Sequence, residues 1–162
     1  VEIAFSIDDL NERFEYQRSG ASWDDVQTNI KLFRQMRQEH NNIQLQCCST
    51  VNIFNIRYID QLANWISTQN FDFVYWNIMH DAWYFSIAAL TDTAKQMIAQ
   101  HLNSVPTVYK KDFDGIIDFM MRGQSTDGSE TRRQIQKLDQ RRNQDLKTVE
   151  PELWKILYNL ET

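Results

Sequence analysis

Three polar side chains near the start of the chain have the types and spacing to hold a ligand: Ser6, Asp8 and Arg18. They follow a short apolar run over residues 1–5, whose length and β-branched content predict a buried parallel strand. The run gives way to Ser6-Ile7-Asp8-Asp9, a polar cluster at the expected carboxyl end of that strand. A charged and aromatic loop then leads to Arg18. In α/β barrels and open α/β sheets, ligands sit beyond the carboxyl ends of the strands. A second polar set, Ser49, Thr50, Asn52 and Asn55, ends a strand-like run over residues 43–51. These residues face a ligand or cap the helix that follows, a role for which Asn55 is well suited.

His80 and Asp81 follow a third strand-like run over residues 71–79 and form the conventional acid–base or metal-binding pair of the chain. No second cluster of His, Cys or carboxylates stands at ligand spacing, so no metal site is expected. Cys47 and Cys48 are adjacent, and adjacent strand residues point to opposite faces. They read as buried free thiols that cannot jointly hold a cluster, and they suit a reducing cytoplasm.

The elements between these groups alternate. Ser22-Trp-Asp-Asp25 is a capping-box-like start, and Trp23, Val26, Ile30 and Phe33 predict a helix to about residue 38. Asn41-Asn42 make a turn before the second strand. Ile56, Ile59, Leu62, Ala63 and Ile66 predict a second helix over residues 55–68. The aromatic stretch at residues 82–90 reads as an irregular or lid segment. Thr91-Asp92 cap a helix with Met97, Ile98 and Leu102 on its buried side. From Val105 the strands end. Helices are expected over 110–122, with Phe113, Ile116, Ile117 and Met120 inward, over 130–146, and after Pro151. The basic residues of the 130–146 helix, Arg141 and Arg142 among them, interleave with acids and read as a solvated face.

Composition narrows the classes. The 162 residues are 42% hydrophobic and 12% aromatic, enough for a packed core. The net charge of −5 argues against nucleic acid as a partner. No apolar run approaches the roughly 20 residues of a membrane span. The chain enters directly on a core-like strand, which reads as a piece of something longer.

Ser6-Ile-Asp-Asp9, then Glu15-Tyr-Gln-Arg18, then Gly20-Ala-Ser-Trp-Asp-Asp-Val26 resemble the second half of the barrel in radical S-adenosylmethionine (SAM) enzymes with a SPASM or twitch extension. Asp9 replaces the usual glycine. The run Lys137-Leu-Asp-Gln-Arg-Arg-Asn-Gln-Asp-Leu146, followed by Glu150-Pro-Glu-Leu153, is similar to the C-terminal tail of twitch-type members, with Glu150 where the family prefers an aromatic. The resemblance implies that Ser6 and Arg18 hold SAM and that Asp8 orients the loop or bonds a ribose hydroxyl. It also implies that Thr50, Asn52 or Asn55 line the ribose side, that Ile78 or Met79 packs on adenine, and that His80 and Asp81 lie near the substrate. The family's Cys-x-x-x-Cys-x-x-Cys motif is absent, so ligands for the [4Fe–4S] cluster would lie outside this chain.

The expected fold is therefore α/β. Residues 1–104 form the C-terminal half of a partial (β/α) barrel with about three parallel strands, and residues 105–162 form a helical extension. By resemblance the whole enzyme would cleave SAM reductively at a [4Fe–4S] cluster to a 5′-deoxyadenosyl radical for hydrogen abstraction. Its partners would be the missing N-terminal half of the barrel, a reductant, and a peptide or protein substrate. The chain by itself is not expected to be active and carries no catalytic residue of its own. Two other classes stand beside this one: a non-catalytic α/β binding or assembly module, and a metal hydrolase using His80 and Asp81.

Overall fold

The computed structural model describes residues 1–40 and 42–158. The turn expected at Asn41-Asn42 lies partly outside the described residues. Three strands, β1 (Glu2–Ser6), β2 (Gln44–Val51) and β3 (Phe73–Ile78), form one parallel sheet in the order β1-β2-β3. Ser6 lies level with Cys48, and Thr50 with Asn77. Eight α-helices are present among the described residues: α1 (Asn11–Gln17), α2 (Trp23–Glu39), α3 (Ile59–Ser67), α4 (Asp92–Ser104), α5 (Lys110–Arg122), α6 (Ser129–Arg142), α7 (Leu146–Val149) and α8 (Pro151–Leu157). The molecule is α/β, as its alternating patterns predict.

Local chemistry explains most of the boundaries. The Ser22 hydroxyl accepts from the Asp25 N–H at 3.2 Å and starts α2, while Thr91 does the same for α4 through Ala94. Pro151 occupies the first turn of α8, where its missing N–H is not needed. Asn143 ends α6 in the left-handed region at φ 52°, which asparagine tolerates.

Four expectations need correction. The loop before Arg18 contains the helix α1, which buries Phe14 and Tyr16. The second crossover helix begins at Ile59 rather than Asn55, because the Asn55 side chain is used to tie loops together. Met97 is exposed, on the outer side of α4. The 130–146 helix stops at Arg142, and its polar residues are more than a solvated face: Arg142, Arg132 and Asp139 all bond to other elements.

The first strand is not buried as its apolar run predicts: β1 alternates between exposed and half-buried residues, because among the described residues the sheet is covered on one face only. Phe5, Cys47, Val74 and Trp76 turn towards α2 and α3, where they pack with Trp23, Ile30, Leu62 and Ile66. The opposite face carries Ala4, Ser6, Gln46, Cys48, Phe73 and Tyr75, and Phe73 and Tyr75 are 44% and 46% exposed. The strand order is sequential, and the helices α2 and α3 that follow β1 and β2 pack on the same side of the sheet. A second apolar cluster joins Val51, Ile53, Ile56 and Ile59 to Phe113, Ile116, Met120, Ile135, Leu146 and Leu153. The helices after Val105 thus share a core with the strand segment. No helix among the described residues is long and apolar enough to cross a membrane.

Candidate functional site

A cavity of about 350 Å³ opens at the carboxyl ends of all three strands, a volume within the usual range for small-molecule sites. Asp8 reaches it from the end of β1, Thr50 and Asn52 from the end of β2, and Met79 from the end of β3. Tyr16, Gln17 and Arg18 come from α1 and its C-terminus, and Leu138 and Arg142 from α6.

Asp8 is the organising group. Its Oδ2 accepts from Arg18 Nε at 2.8 Å and lies 2.7 Å from Arg18 Nη2. Its Oδ1 accepts from the Thr50 N–H at 2.7 Å. One carboxylate thereby fixes the arginine and ties β1 to β2. Charge-assisted bonds of this kind are about twice as strong as neutral ones, and the Asp8 side chain is only 9% exposed. Asn52 makes the next wall. Its Nδ2 donates to Gln17 Oε1 at 3.1 Å and to the Thr50 carbonyl at 3.1 Å, and its Oδ1 accepts from the Phe54 N–H at 2.8 Å.

Beneath the cavity lies a fully buried acidic group. Asp9 accepts from Arg13 Nε at 2.9 Å and from the Leu10 N–H at 2.8 Å. Burial pushes its carboxyl up to about 7, against the pull of Arg13. Glu150 is also fully buried, and neither of its carboxyl oxygens has a hydrogen-bond partner among the described residues. Burial holds its carboxyl well above the usual range, with the Asp9 charge adding to the effect and Arg13 opposing it. Tyr16 is kept protonated by burial and by Asp139, which accepts its hydroxyl at 2.8 Å.

The structure brings together five of the residues singled out in the sequence: Asp8, Arg18, Thr50, Asn52 and Met79. The others stand elsewhere. Ser6 is exposed on the open face of β1, level with Cys48, and does not line the cavity. Asn55 is buried beneath it: Nδ2 donates to the carbonyls of Asp8 and Thr50, and Oδ1 accepts from the Asn52 N–H. Of the pair Ile78 and Met79, strand alternation turns Ile78 into the core and Met79 into the cavity.

His80 faces a different space. It stands edge-on to Phe119 at 5.3 Å and lines a separate cavity of about 530 Å³ with Trp83, Ser125 and Thr126. Asp81 is exposed and lines neither cavity. Cys47 is buried, its thiol pushed up to about 12 mainly by burial, while Cys48 lies on the open face. No group of three or more His, Cys, Asp or Glu among the described residues is placed to hold a metal ion.

Sequence reasoning missed Tyr16, Gln17, Phe54, Phe85, Leu138 and Arg142 as lining residues. The Leu-Asp-x-x-Arg run of the tail was visible in the sequence, but which groups on α6 turn inward depends on how that helix docks. No family model matches the chain, and neither a curated protein nor a solved structure matches it.

Proposed function

We propose that this chain is the SAM-holding arc of a radical SAM-type (β/α) barrel, with the helical extension closing one side of the cofactor cavity. The observation that carries the reading is the convergence of Asp8, Arg18, Thr50, Asn52 and Met79 on one cavity at the carboxyl ends of parallel strands. The open sheet face and the sequential strand order support it, because further strands continuing the arc would cover that face. The missing N-terminal half of the barrel, whose strands would continue the sheet beyond β1, is the partner this reading calls for.

The side chains fit SAM as a ligand. Asp8 and Arg18 form a fixed, charge-neutral pair, Thr50 offers a hydroxyl for a ribose beside the wall that Asn52 makes with Gln17, and the Met79 thioether suits the face of an adenine ring. The cluster does not fit. Cys47 and Cys48 point to opposite faces, and no ligand set is assembled among the described residues. When bound beside a [4Fe–4S] cluster held outside this chain, SAM supplies the hydrogen-abstracting chemistry. The residues here bind and orient the cofactor. Asp8 fixes Arg18, Gln17 holds Asn52, and Phe54 and Phe85, whose rings pack 4.9 Å apart, form an apolar wall that limits water.

A calorimetric titration of SAM into the wild type and the Asp8→Ala variant tests this reading. Saturable binding to the wild type is expected. Asp8→Ala frees Arg18 and leaves the Thr50 N–H unpaired, so affinity should fall by about 10- to 100-fold, as for loss of a charged hydrogen bond. Equal affinities, or no binding to the wild type, would remove the SAM assignment and favour the non-catalytic binding module.

A further inference from the structure

The ionisable groups lining the carboxyl-end cavity are Asp8, Arg18, Arg142 and the protonated Tyr16. Asp8 and Arg18 neutralise each other through bonds of 2.7 and 2.8 Å. Arg142 is different. It makes one hydrogen bond, from Nη1 to the Tyr16 carbonyl at 3.0 Å, and forms no ion pair among the described residues. Among the described residues the cavity lining therefore carries one positive charge without an ion-pair partner, and it comes from the helical extension.

That charge is held in place. Asp139 and Arg142 lie three residues apart on α6 and so share a face. Asp139 Oδ1 accepts the Tyr16 hydroxyl, and Arg142 donates to the carbonyl of the same tyrosine. The other oxygen of Asp139 accepts from the Leu146 N–H at 3.2 Å, which fixes the chain just after α6. Tyr16 is gripped at both ends, and the guanidinium stands at the cavity with Nε and Nη2 making no hydrogen bond among the described residues. A planar fork of donors on a rigid support suits a carboxylate or phosphate oxygen pair.

We infer that the ligand carries an anionic group and that Arg142, not Arg18, is the side chain that receives it. The inference rests on the proposed reading of the cavity as a cofactor site, under which the anionic group is the carboxylate of SAM. Arg142 is then a specificity residue supplied by the extension. It distinguishes SAM from adenosyl compounds that lack the carboxylate, while Arg18 acts through Asp8 as a positioning residue.

The test compares SAM, decarboxylated SAM and methylthioadenosine by calorimetry on the wild type, Arg142→Gln and Arg142→Lys. SAM affinity should fall about 10- to 100-fold in Arg142→Gln and recover in part in Arg142→Lys. Methylthioadenosine affinity should stay within about twofold, since each charge-assisted bond contributes only to the ligand that makes it. Decarboxylated SAM, which carries only positive charge, should bind Arg142→Gln as well as or better than the wild type. Equal losses for all three ligands, or no loss for SAM, would overturn the assignment of Arg142. If neither SAM nor methylthioadenosine binds the wild type, the SAM reading falls by itself. Inorganic pyrophosphate then decides the remaining point: binding that disappears in Arg142→Gln sustains the anion site, and no binding removes it.

Discussion

Asn55→Ala should destabilise the protein by about 3–5 kcal/mol in urea unfolding, summing three lost hydrogen bonds and the buried groups left without partners. Asn55 is fully buried. Its Nδ2 donates to the Asp8 carbonyl at 2.8 Å and to the Thr50 carbonyl at 2.9 Å, and its Oδ1 accepts from the Asn52 N–H at 2.9 Å. One amide thus joins the ends of β1 and β2 to the turn that precedes α3. Alanine removes the joint, and water cannot readily replace it at zero exposure. Asn55→Asp should be nearly as damaging, because it sets a carboxylate against two carbonyl oxygens. Asn52→Ala should cost less, since the Asn52 amide bridges to Gln17, a residue that is itself only partly buried. A loss below about 1 kcal/mol for Asn55→Ala, the worth of a single ordinary hydrogen bond, would mean that Asn55 is not the joint described.

The second large effect has the opposite sign. Glu150→Met should stabilise the protein at pH 8 by about 1–3 kcal/mol, the usual penalty for a buried polar group left without a hydrogen-bond partner. Glu150 is fully buried, has no hydrogen-bond partner among the described residues, and faces Asp9, Arg13, Tyr16 and Tyr58. Arg13 is the single cation among them, and it already serves Asp9 and stands over the Tyr58 ring at 4.3 Å. The pH dependence follows from the direction of the shifts. Both carboxyls have folded values raised above their unfolded ones, Asp9 from 3.8 to about 7. The folded state therefore holds more protons than the unfolded state between those limits. Their contribution to stability is fully present below about pH 4 and is lost as pH rises through about 7. Wild-type urea midpoints should fall from pH 5 to pH 8. Glu150→Met should flatten that fall, leaving the part due to Asp9. A variant less stable than wild type at pH 8 would show that Glu150 has a partner there.

The parts of this molecule legible in its sequence are those set by local periodicity. The alternation of residues 43–51 and the spacing of Phe113, Ile116 and Met120 define β2 and α5 without reference to the rest of the chain. Asp8, Thr50, Asn52 and Met79 were legible as a group because parallel strands put their carboxyl ends on one side of the sheet. Arg18 needed only the α1 turn to bring it back onto Asp8. Arg142 and Glu150 were not legible in that way. Their surroundings depend on how α6 and α8 dock onto α1, and a basic, amphipathic run reads the same whether its inner arginine meets solvent or a cavity. The proposed resemblance expects an aromatic at position 150, and the glutamate that stands there is fully buried. His80 lies just beyond the end of β3, and its ring stands against Phe119 of α5 rather than at the carboxyl-end cavity.

The cofactor assignment is tested most directly at Met79. The chain has five methionines, and Met79 is the one that lines the carboxyl-end cavity, so the methyl resonances of 13C-methionine-labelled protein contain their own controls. Titration with SAM should shift the Met79 methyl saturably, through the ring current of the adenine, while Met36, Met97, Met120 and Met121 stay in place. A Met79 signal unmoved at saturating SAM, or shifts spread evenly over all five methyls, would contradict the account.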